Sequence, residues 1–91
     1  MSNEIQVVDM QLHMAVKSLA VIQGEINCKL RELVKKAELI TEKEAEGEEA
    51  GYLLEMIFDD LDELTELFKQ RKSLRNQIEN LKLAVEKLTE K

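Results

Sequence analysis

Leu12, Leu19, Ile26, Leu33 and Ile40 recur every seven residues, and Val8, Val16, Leu30 and Ala37 supply an alternate apolar column beside them. Such a repeat predicts one long amphipathic helix. Farther along, Ile57, Leu64, Ile78 and Val85 alternate with Leu53, Leu67, Leu74, Leu81 and Leu88 at spacings of four and three. That is the seam of a second, coiled-coil-like helix, with Arg71 as its polar entry. Between the two lies a glutamate-rich stretch over residues 42–49, the only candidate linker. Gly47 or Gly51 can end a helix in the left-handed region, and Thr41, Glu42, Lys43 and Glu44 have the form of a capping box.

The pattern predicts an all-α fold, a long antiparallel helical hairpin. It is a single domain over residues 1–91, with arm one at about 3–45, a turn at about 45–51 and arm two at about 51–90. Composition agrees. The chain has no proline, three glycines and only Tyr52, Phe58 and Phe68 as aromatic residues, which excludes a β-sandwich or barrel. Ninety-one residues leave room for one packed core.

Charge sharpens the register. Residues 42–66 hold eleven acids and one base, whereas residues 67–91 hold three acids and seven bases. With the turn centred on Gly47, Lys35 falls near Asp59, Lys36 near Phe58 and Asp60, Arg31 near Glu63, and Glu25 near Lys69. Apart from Phe58, each of these contacts joins base to acid. Glu55, Asp59, Asp62 and Glu66 form a like-charged row on one helix face, and the basic stretch from Lys29 to Lys36 is placed to offset it.

One seam cannot hide all the apolar surface. Val7, Met10, Met14 and Val21 form a second stripe on arm one, and Leu54, Phe58 and Leu61 do so on arm two. The surplus predicts a homo-oligomer, with these seven residues as its interface: a homodimeric four-helix bundle from an antiparallel pair of hairpins, or a higher assembly. A further protein partner is expected. The net charge of −6 argues against direct nucleic-acid binding or an anionic membrane surface as the target.

Candidate chemistry is sparse. Arg71 faces Gln23 and Gly24 in the predicted seam, with Arg75 and Cys28 nearby. Arg71, Gln23 and Arg75 are therefore the candidate binding residues for a small anion or nucleotide, against a purely structural role in fixing register. The single histidine, His13, lacks a second metal ligand at the next helical turn, and the single cysteine, Cys28, has no partner for a disulfide or a CxxC motif. No catalytic residue, metal site or cofactor is expected, and the chain is read as non-enzymatic. The longest apolar run spans residues 19–22, and the start of the chain lacks a positive leader, so a cytoplasmic protein is expected.

Three resemblances bear on function. Glu49, Ala50, Gly51, Tyr52, Leu53 and Leu54 resemble the ExxD helix of MazG-type pyrophosphatases, with Tyr52 in the aspartate position. Ile57, Leu64, Leu67, Phe68, Arg71, Leu74, Ile78 and Lys82 resemble the first helix of AroQ-type chorismate mutases, in which an arginine and a lysine eleven residues apart bind carboxylates; Leu54 stands where that family has another arginine. In size and shape the predicted hairpin is similar to the WXG100 proteins, which work as helical-hairpin dimers, but the turn lacks tryptophan. Each departure falls on the residue that carries the family's chemistry or turn. An interaction protein, an anion binder and an acidic mimic of nucleic acid therefore remain the readings to separate.

Overall fold

In the computed structural model, residues 2–90 are described, and for Ser2 the backbone alone. Helix α1 spans Ser2–Ala45 and helix α2 spans Gly51–Thr89. The fold is thus an all-helical hairpin of two long helices. Two compact units make up the chain: a turn unit over Gly24–Phe68, and a terminal unit formed by the segments up to Gln23 and from Lys69 onward.

The turn unit owes its connection to Gly47. Its φ of 79° lies in the left-handed region, where a side chain would clash with the following carbonyl. Gly47 N–H donates to the Glu44 carbonyl at 3.1 Å and Glu48 N–H to the Lys43 carbonyl at 2.9 Å. This pair of bonds is a Schellman motif, which satisfies the last carbonyls of α1. Gly51 instead opens α2, where the Ala50 carbonyl accepts from Leu53 and Leu54. The expected capping box does not form: Thr41 lies inside α1 and its hydroxyl donates back to the Ala37 carbonyl at 3.1 Å.

Within the turn unit the seam buries Ile26, Ala50, Leu53, Leu64 and Asp60, flanked by half-buried Leu33, Ile40, Ile57 and Leu67. The terminal unit buries Ala15 and Ile78, with Leu12, Leu19, Leu74, Leu81, Val85 and Leu88 half-buried beside them. Every seam residue expected on α2 is buried or half-buried. On α1 the alternate column is shifted by one residue. Val16, Leu30 and Ala37 are exposed, and the positions in phase with Val8 are Ala15, Ile22, Lys29, Lys36 and Lys43. Spacings of three and four place residues 12, 15, 19, 22, 26, 29, 33, 36, 40 and 43 on a single stripe. Three lysines therefore occupy core-facing positions, their aliphatic stems covering the seam while their ammonium groups reach the edge.

Candidate functional site

Asp60 is the most buried polar residue among those described, at 4% exposure. It stands in phase with Leu53 and Leu67, so the α2 repeat itself turns its carboxylate into the seam of the turn unit. Lys36 donates to it at 2.6 Å, and Lys29 approaches at 3.6 Å. Lys29 also pairs with Glu63 and, at 3.5 Å, with Glu32. The hydrogen bond from Lys36 holds the Asp60 carboxyl below its ordinary value, against the opposing effect of burial. The hydrogen bond from Lys29 to Glu63 raises the Lys29 ammonium above the ordinary lysine value. Nearer the turn, Lys43 pairs with Glu48 at 3.2 Å and is raised in the same way.

The acid-to-base register is therefore close to the expected one, with different participants. Lys36 meets Asp60 as anticipated, but Lys29 pairs with Glu63 where Arg31 was expected. Lys35 and Asp59 both lie exposed on outer faces. The sequence signal for this cluster is lysine recurring at 29, 36 and 43 in phase with Ala15 and Ile22.

In the terminal unit, Arg71 donates from Nη1 to Gln23 Oε1 at 3.1 Å, and both side chains are half-buried. Two of the three candidate ligand residues are thus brought together. Arg75, one turn along α2, is exposed. His13 and Cys28 are exposed as well. Among the described residues no three or more His, Cys, Asp or Glu side chains gather closely enough to hold a metal ion.

All seven candidate interface residues are exposed. On α1, Val7, Met10, Met14 and Val21 are 55–66% exposed, on the side turned away from the seam. On α2, Leu54, Phe58 and Leu61 are 45–55% exposed and lie beside it. Because its terminal-unit half is apolar on two sides, α1 contains an 18-residue stretch with mean hydropathy of 1.2, long and apolar enough to cross a membrane by length and composition alone. Only 6% of that stretch is buried.

The fold and seam define a class: an antiparallel helical hairpin with an ion cluster around one buried aspartate and surplus apolar faces. Comparison with protein-family profiles, curated proteins and solved structures gives no match.

Proposed function

We propose that the chain is a non-enzymatic helical interaction protein, an adaptor, inhibitor or small regulator, that acts in the cytoplasm as a homo-oligomer through its apolar helix faces and engages a further protein partner. One observation carries this reading. Fifteen large hydrophobic side chains are at least 40% exposed among the described residues, which leaves extensive apolar surface outside the seam for association. Sedimentation at roughly 50 µM tests it. The expected mass is that of a dimer or larger assembly, and a clean monomer sinks the homo-oligomer. Fractionation of host cells tests location; recovery with membranes in place of the soluble fraction would turn attention to the apolar stretch of α1.

The anion-binding alternative rests on the half-buried Arg71 and Gln23 pair. Thermal stabilisation by phosphate or a nucleotide that disappears in Arg71→Leu would favour it. The acidic-mimic alternative rests on the acidic tip from Glu42 to Glu66, within which Glu55, Asp59, Asp62 and Glu66 are exposed. It requires partner binding that weakens steeply with salt, whereas apolar docking is little affected.

A further inference from the structure

We propose that the turn unit pairs with a second copy of itself through one two-helix face, formed by Leu30, Val34 and Ala37 of α1 with Leu54, Phe58 and Leu61 of α2. In the pair, α1 of each chain lies over α2 of the other, and the two turns sit at the same end. The inference rests on the homo-oligomer reading and specifies its face and orientation.

The seam contacts fix where this face lies. Lys29 and Lys36 lean to the flank that carries Asp60 and Glu63. Leu30 and Ala37 follow those lysines by one residue, about 100° around the helix, and so line the other flank. Leu54 and Leu61 follow Leu53 and Asp60 in the same way, and Val34 and Phe58 widen the strip by one position on each helix. The five large side chains are 42–55% exposed, and Ala37 is exposed too. The other residues along the same strips are Asn27, Thr41, Gly51, Thr65 and Phe68, so the face carries no charge from 27 to 41 or from 51 to 68.

Its two long edges are opposite in charge. Along α1 the edge carries Arg31 and Lys35, then Glu38; these three rim a shallow hollow floored by Leu30 and Val34. Along α2 the edge carries Glu55, Asp59, Asp62 and Glu66, all exposed. Two identical two-helix layers stack face to face about a two-fold axis in only two ways. An axis across the helices lays α1 on α1 and α2 on α2, which sets four acids against the same four acids. An axis along the helices lays α1 on α2. In the register that the Lys36–Asp60 and Lys29–Glu63 pairs together set within the chain, it brings Arg31 near Asp62 and Lys35 near Asp59 of the other copy. Opposite edges meet, so charge selects the second arrangement over the antiparallel pair of hairpins expected from sequence. It leaves one repulsive contact, Glu38 opposite Glu55, and that contact makes the orientation testable.

The experiment is sedimentation equilibrium of the full chain at low salt, with helicity followed by circular dichroism. The wild type is expected to dimerise, and Phe58→Lys with Leu61→Lys to be monomeric at unchanged helicity. Lys35→Glu should weaken the dimer and Glu38→Lys tighten it, each by roughly three- to tenfold. Weakening by Glu38→Lys overturns the orientation, because an axis across the helices at the middle of the 27–41 strip, beside Val34, brings Glu38 towards Arg31 of the other copy. A dimer that survives Phe58→Lys with Leu61→Lys but is lost in Met10→Lys with Met14→Lys overturns this face while leaving the homo-oligomer standing. A monomeric wild type overturns both.

Discussion

Lys36 donates a 2.6 Å hydrogen bond to Asp60, a residue left 4% exposed inside an apolar seam, and so ties α1 to α2 across the middle of the turn unit. The lysine side chains remain partly accessible, Lys36 at 21% and Lys29 at 28%, which lowers the cost of holding charge there.

Removing one partner should cost more than removing both. Asp60→Ala takes from Lys36 its carboxylate at the seam, while Lys29 keeps Glu63, and is expected to destabilise the fold by about 1.5–3 kcal/mol in urea denaturation. Asp60→Leu combined with Lys36→Leu should be near neutral or stabilising, since Lys29 keeps Glu63 and the seam gains apolar contact. A double variant as damaged as Asp60→Ala would show that the ion cluster supplies net stability.

The same pair sets an acid limit. Asp60 has a folded-state value below its ordinary 3.8, so its contribution is complete above that value and disappears as pH falls through the lower folded one. Stability is therefore expected to lose this contribution below about pH 4, and Asp60→Asn should flatten that part of the acid titration. For Lys29 and Lys43 the shift is upward, so their contribution is present below the ordinary lysine value of 10.5 and is lost only in strong alkali. Urea midpoints from pH 2 to 7 on wild type and Asp60→Asn check the acid limb.

Arg71 separates the register and ligand readings. Replacing a half-buried guanidinium with leucine fills an apolar seam, and Arg71→Leu is expected to be neutral or to raise the melting temperature by a few degrees, as about 0.5–1 kcal/mol would. Calorimetry with and without phosphate decides. A melting temperature that phosphate raises in the wild type alone would make Arg71 a binding residue.

The glycines predict opposite signs. A Cβ on Gly24 meets nothing within 4 Å, so Gly24→Ala in the middle of α1 should stabilise by about 0.5–1 kcal/mol. Gly47 also has open space around it, yet its φ of 79° makes Gly47→Ala destabilising by about 1–2 kcal/mol. Equal effects at the two positions would contradict the left-handed turn.

The α2 seam was readable because leucine and isoleucine occupy nearly all of it, and the Leu12 to Ile40 column of α1 was readable for the same reason. The alternate α1 column was misread by one residue. Val16, Leu30 and Ala37 are apolar yet exposed, while Lys29, Lys36 and Lys43 are charged yet core-facing, and hydropathy sorts both sets the wrong way. Asp60 was missed as a seam residue for that reason, although the facing register had placed Lys36 beside it. The Arg71 and Gln23 pairing followed from register alone, but the orientation of Arg75 did not.

The lysines at 29, 36 and 43 and the aspartate at 60 also sort the strands of any coiled pairing this sequence attempts. Two α1 helices zipped together in parallel would stack lysine on lysine at three successive heptads, and two α2 helices would set Asp60 on Asp60. Only the mixed pair brings cation to anion, whether the two helices come from one chain or from two. Charge thus dictates which helix pairs with which but is blind to whose helix it is. The tight bend at Gly47 alone decides between a closed hairpin and chains that exchange arms, and straightening it should convert one into the other.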